Sequence, residues 1–219
     1  MAFIESIDDI DAGPQRNMRS VFAHRPAVYA AWRQLLGAIT AEMDERRYEL
    51  VTLAAAGSLR SSYCSLAHGL VLLERHVSAD ELLSLALDPG STPATPVETA
   101  AMRFARKIVE DATSVRAEDV AELRELGLSD PEIFDIAAAA AARCFFSKTL
   151  DALGVQPDAS TQRWRRSCGR RWSQAGRSTT WASFAASAIH RSSQKSSVTP
   201  CNLRAGVGES SLNNVPKPI

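Results

Sequence analysis

The chain has 219 residues, 45% of them hydrophobic, enough to bury the core of one good-sized domain. Its formal net charge of +0 conceals a split: residues 156–219 hold 10 Lys and Arg against 2 Asp and Glu, and residues 1–155 hold 15 against 23. That asymmetry excludes one uniform domain and predicts a folded acidic part, 1–155, followed by a basic tail, 156–219.

The start, MAFIESIDDIDAG, is acidic and lacks the basic n-region and apolar run of a secretory leader. No apolar stretch approaches the roughly 18–20 residues that span a bilayer. A cytoplasmic location with no membrane partner is expected. In that reducing compartment Cys64, Cys144, Cys168 and Cys201 read as free, metal-binding or catalytic thiols.

In chain order, Pro26 opens a helix through Val28, Tyr29 and Trp32 to Leu36, ending near Gly37. From Asp44 to about Leu59, the residues Leu50, Leu53, Ala54 and Gly57 recur at three-four spacing, which predicts an amphipathic helix. A break at Ser58–Ser61 leads into a helix carrying Cys64, Ala67, His68, Val71 and Leu72. Three capping boxes follow: Ser78 with Glu81, Thr95 with Glu98, and Ser129 with Glu132. They start helices over roughly 79–87, 96–110 and 130–152. A shorter helix from Glu118 to Leu126 is stopped by Gly127. No hairpin signal or sustained two-residue alternation occurs. The expected fold class is all-α, with about six or seven helices.

After Gly154 the pattern changes. The stretch from Gln156 onward holds 12 serines and three of the four tryptophans, without a long periodic apolar face. Ordering it would cost more entropy than its burial repays, so a largely disordered tail is expected. A basic, aromatic-interleaved tail can bind nucleic acid, but a solvated tail without a partner is the favoured reading. Arg, Ser, Trp and Cys clusters with abrupt loss of helical pattern are also what out-of-frame translation of a GC-rich gene would give.

The chemistry centres on Ser61-Ser62-Tyr63-Cys64-Ser65-Leu66-Ala67-His68. Residues four apart on a helix share a face, so Cys64 and His68 lie together with Ser61 one turn before. An imidazole can take a thiol's proton, and a helix N-terminus favours thiolate, the species that attacks peroxide oxygen. An antiparallel helix pair would bring Glu49 over the same site, where a carboxylate orients the imidazole as in a triad. Spacing alone also fits an inert, packed cysteine. A metal would need a third ligand from His24, His76 or Cys144, and nothing in the spacing asks for it. No Gly-rich phosphate loop appears, and no cofactor is expected.

Glu49, eleven intervening residues, position 61, two residues, Cys64, three residues and His68 resemble the E-x11-C-x-x-C-x3-H signature of AhpD-like alkylhydroperoxidases. These belong to the carboxymuconolactone decarboxylase superfamily. Arg47-Tyr48-Glu49-Leu50-Val51, Phe104-Ala105, Glu118-Asp119-Val120, Leu126-Gly127-Leu128-Ser129-Asp130, Phe145-Phe146 and Leu150-Asp151-Ala152-Leu153-Gly154 are similar to further blocks of that family. The resemblance spans roughly residues 20–155. It implies an AhpD-like helical domain and a homo-oligomer. It also implies a peroxidase in which Cys64 attacks a hydroperoxide, His68 is base or thiolate partner, and Glu49 relays protons.

One position departs from the signature. Ser61 stands where the family's resolving cysteine lies, and a hydroxyl can donate a hydrogen bond but cannot close a disulfide. The resemblance then implies an external thiol reductant for the Cys64 sulfenate, since Cys144 reads as a packed core residue. Two other readings stay open: a decarboxylase-type lactone enzyme, and a non-catalytic helical scaffold with a structural Cys64.

Overall fold

The computed structural model describes residues 2–5, 7, 15–87 and 93–158. The expected disorder, nucleic-acid reading and frame-shift reading of the tail fall on residues beyond Asp158, outside the described residues. Among the described residues the regular structure is entirely helical. The helices are α1 (Arg16–Phe22), α2 (Pro26–Ile39), α3 (Glu45–Ser58), α4 (Ser62–Arg75), α5 (Ala79–Leu87), α6 (Pro96–Asp111), α7 (Ala117–Glu125) and α8 (Asp130–Ala152).

Seven of these are the helices read along the chain, and α1 is additional. It has no side-chain cap and no acidic first turn, so no local signal announces it. Tertiary burial makes it: Met18, Val21 and Phe22 are buried, and Phe22 stacks on Phe146 of α8 at 5.4 Å.

The capping residues act as their chemistry requires. Thr95 N–H donates to the Glu98 carboxylate at 2.8 Å while Glu98 N–H donates back to Thr95 Oγ1 at 3.3 Å. Ser78 and Glu81 exchange the equivalent bonds at 2.7 and 3.3 Å. Ser129 N–H donates to Glu132 at 2.9 Å. Gly127, at φ 93°, ends α7 in a left-handed conformation that a side chain would strain.

Helix α3 is the hub, packed on α4, α6 and α8. Every residue from Tyr48 to Ala56 is buried, so α3 is enclosed on all sides over that stretch, not two-faced as its leucine spacing suggests. Alanines 54 to 56 allow that enclosure, because small side chains let neighbouring helices approach closely. One core joins Trp32, Phe104, Ile136 and Phe146; a second gathers Leu50, Leu53, Leu66, Leu82 and Met102 on the α4–α5–α6 side.

The first turn of α3 is clamped from two directions. Arg46 Nε donates to Glu98 of α6 at 2.6 Å, and Arg47 Nη1 donates to Glu132 of α8 at 2.7 Å. The Ser129 backbone N–H, Arg47 and the Ser129 hydroxyl together hold the Glu132 carboxyl down at about 2. These ties fix the rotation of α3 just before Tyr48 and Glu49. Among the described residues no helix is long and apolar enough to cross a membrane.

Candidate active site around Cys64

A tight turn joins α3 to α4. Ser61 N–H donates to Ala56 O and Arg60 N–H to Gly57 O, both at 3.0 Å, a Schellman closure with Arg60 left-handed at φ 58°. The chain reverses within three residues, laying α4 along α3 and bringing Glu49 to His68, the antiparallel arrangement expected for a carboxylate over the site. Ser61 is the N-cap of α4, so Cys64 occupies the third helical position and His68 the turn after it.

Cys64, His68 and Glu49 are 1%, 0% and 2% exposed. His68 Nδ1 lies 2.7 Å from Glu49 Oε2. Burial lowers the His68 pKa, with Glu49 acting in the opposite direction and Arg143 reinforcing the drop. The ring is therefore neutral near pH 7, with Nδ1 donating to the carboxylate and Nε2 carrying the free lone pair. That Nε2 is buried and has no hydrogen-bond partner in the protein. A buried base with an unused lone pair, its tautomer fixed by a carboxylate, is a standing proton acceptor.

His68 does not hydrogen-bond the thiol. The group that reaches Cys64 Sγ is Arg143 of α8, whose Nη1 lies 4.0 Å away. Arg143 Nη2 donates to the Tyr48 hydroxyl at 2.8 Å, and the Tyr48 ring meets His68 edge-on at 5.9 Å. The guanidinium sits over the rings of Trp32 and Phe146, at 5.8 and 5.5 Å from their centroids. Burial disfavours the Arg143 cation, but Tyr48, Cys64 and Glu49 outweigh it and raise its pKa. Burial raises Tyr48, which stays a phenol.

The sequence reading missed Arg143 and Tyr48 as members of this site. A signal existed for Arg143: it interrupts a run of alanines inside an apolar helix, and a charge in such a place must find a partner when buried. Tyr48 carries no such signal beyond its adjacency to Glu49.

Ser61 is fully buried, and its side chain does not cap α4. Its hydroxyl has no hydrogen-bond partner at normal distance. It lies near enough to the Asp151 carboxyl to oppose the rise that burial causes there. Cys144 is a free thiol, half-buried on α8 and not a fully packed core residue.

Tyr63, adjacent to Cys64, points elsewhere. Its hydroxyl donates to Asp158 Oδ2 at 2.9 Å, and Asp158 Oδ1 accepts from Asn17 N–H at 2.9 Å. The segment after α8 thus folds back over α1 and α4, and packing continues through Asp158.

The other ligand candidates lie apart. His24 Nε2 meets Glu5 O at 2.7 Å, and His76 Nε2 lies 3.7 Å from Glu45. Among the described residues no group of three or more His, Cys, Asp or Glu converges.

Residues 26–107 match the carboxymuconolactone decarboxylase family. No curated protein matches the chain. A peroxidase-related protein with an alkylhydroperoxidase AhpD core from Ralstonia eutropha superposes with TM-score 0.62 at 24% identity, covering 66% of this chain and 78% of its own. A peroxidase-related protein from a Silicibacter species gives TM-score 0.62 at 17% identity, over 67% and 78%. The debrominase Bmp8, in complex with 2,3,4-tribromopyrrole, gives 0.61 at 17%, over 70% and 82%. These likenesses establish a shared helical fold, and the stretch from α2 into α6 is similar to the carboxymuconolactone decarboxylase family.

Proposed function

We propose that the protein is a one-cysteine thiol peroxidase. The observation that supports it best is the buried Glu49–His68 pair at 2.7 Å, one helical turn beyond Cys64, with His68 Nε2 unused. His68 takes the Cys64 proton, directly or through one water, and Glu49 holds the imidazolium that results. The thiolate attacks the terminal oxygen of a hydroperoxide: an S–O bond forms, the O–O bond breaks, and the alkoxide leaves with the electron pair. Sulfur is oxidised by two electrons, and the alkoxide takes up the proton held on His68. One thiol then displaces water from the Cys64 sulfenic acid, and a second releases Cys64 from the mixed disulfide. Ser61 stands at the position where a resolving cysteine would close a disulfide, and its buried hydroxyl, unpartnered in the resting protein, donates to the Cys64 sulfenate once that forms. A cytoplasmic thiol pool is the reductant this scheme requires.

The test is hydroperoxide consumption in the presence of a small thiol, together with sulfenate-specific labelling of Cys64. Turnover and labelling that vanish in Cys64→Ser support the scheme. An unlabelled, unreactive Cys64 sinks it. The family match favours one second reading, a lactone decarboxylation that uses Glu49 and His68 as acid–base pair and leaves Cys64 intact. Assay with γ-carboxymuconolactone separates the two, because only the peroxidase needs the thiol.

Self-association belongs to the same proposal. Val28 and Leu35 of α2 and Phe134 and Phe145 of α8 are exposed apolar side chains, 43%, 52%, 70% and 47% accessible. A second copy covering them gives a mass above one chain by light scattering; a monomer at high concentration rejects it.

A further inference from the structure

We infer that Arg143 is a catalytic residue of this site: its guanidinium holds the negative charge of the Cys64 thiolate and then shares that of the leaving oxygen. Tyr48 is its positioning residue. The inference rests on the peroxidase reading for the second half of that role, and on geometry alone for the first.

Arg143 has no carboxylate among its hydrogen-bond partners. A fully buried guanidinium ordinarily sits on a carboxylate, because an unpaired buried cation is costly. Here its hydrogen-bond partners are a neutral phenol and a sulfur, and its Nε is buried without a partner in the protein. Glu49, the nearby carboxylate, is engaged by His68. The protein therefore keeps a cation beside two groups that become anions only on losing a proton, and burial holds one of them, Tyr48, as a phenol, which leaves Cys64.

The mounting of Arg143 fits a working cation. Trp32 and Phe146 set the plane of the guanidinium, and Tyr48 Oη fixes Nη2, so Nη1 is left to face sulfur. In the attack, the S–O bond forms as the O–O bond breaks, and charge moves from sulfur to the departing alkoxide. A planar donor set already aimed at sulfur follows that charge over a short distance without reorganising. Lysine at this place would carry the charge but not the two-point fixation.

Alkylation of the thiol tests the assignment without peroxide. The thiolate displaces iodide from both iodoacetate and iodoacetamide, but only the first is an anion, so their rate ratio relative to free cysteine reports positive charge at the sulfur. In the wild-type protein that ratio favours iodoacetate. Arg143→Met lowers it by about tenfold or more, Arg143→Lys restores part of it, and Tyr48→Phe gives a smaller fall with the cation retained. A wild-type ratio equal to or below that of free cysteine overturns the inference, whatever the variants do. So does an unchanged ratio in an Arg143→Met protein whose circular dichroism is native. A ratio that depends on Arg143 in a protein that consumes no hydroperoxide upholds the charge role and rejects the peroxidase reading instead.

Discussion

Neighbouring residues of α4 enter two buried polar clusters that differ in one respect. Tyr63 joins Asp158 and Asn17, and both Asp158 oxygens have donors, at 2.9 Å each. Cys64 joins Arg143, and within the same helix bundle His68 Nε2, Arg143 Nε and Ser61 Oγ are all buried without partners in the protein. A satisfied network contributes stability and fixes one structure; unsatisfied groups cost it. The first cluster closes the fold, tying the segment after α8 to α1 and α4. The second is held against its own cost by the clamped α3, and that is the arrangement expected of groups kept ready for a ligand or a proton.

The sharpest way to break this contrast is to substitute within the second cluster. Cys64→Ser is expected to abolish hydroperoxide consumption and sulfenate labelling, while its unfolding free energy stays within about 1 kcal/mol of wild type, as for a near-isosteric change. Residual turnover above a few per cent would separate the chemistry from Cys64. Glu49→Gln comes next. It keeps the hydrogen-bonding shape but removes the charge that stabilises a His68 imidazolium, and turnover is expected to fall by about a hundredfold. An unchanged rate removes Glu49 from the mechanism.

The contrast also explains what the sequence could and could not disclose. Helices announce themselves through local chemistry, so Thr95, Ser129 and Gly127 mark their ends where the structure has them. Glu49, Cys64 and His68 were readable as a set because one short turn and one helical spacing relate them. Arg143 was not, since its meeting with Cys64 spans 79 residues of sequence and depends on how α8 lies across α4. Asp158 was hidden for the same reason, 95 residues from Tyr63, in a segment whose composition already resembles the tail. Helix α1 and the all-round burial of α3 likewise arise from packing, which no periodicity in a single segment encodes.

The first cluster yields to the opposite experiment. Tyr63→Phe removes one donor to a buried carboxylate and is expected to cost about 2 kcal/mol in denaturant unfolding. The rate of Cys64 alkylation in the folded protein should be unchanged. A large loss of thiol reactivity with little loss of stability would mean that the two clusters are one. Titration draws the same line. Burial holds His68 below its ordinary pKa, so below about pH 6.5 the unfolded chain binds a proton that the native state refuses. The penalty is absent above that pH and grows as pH falls, with a slope of at most about 1.4 kcal/mol per pH unit. His68→Gln should flatten stability between about pH 6.5 and 5.5, and Tyr63→Phe should not. Equal slopes in wild type and His68→Gln would refute a neutral, buried histidine.

The smallest effect tests what joins the two clusters, the turn that starts α4. Arg60 holds φ 58° between α3 and α4, a conformation costly for a residue with a Cβ but open to glycine. The two Schellman bonds fix that conformation, and through it the register that sets Cys64 and His68 against α3. Arg60→Gly therefore relieves native strain, while the added freedom of the unfolded chain takes back part of the gain. The net expectation is a stabilisation of about 0.5–1 kcal/mol, seen as a raised denaturant midpoint at constant slope. The iodoacetate preference of Cys64 should not move, because the backbone path is the same. If the variant is destabilised instead, the Arg60 side chain contributes something the turn geometry does not account for; if reactivity changes while stability rises, the turn positions the thiol more loosely than its hydrogen bonds imply.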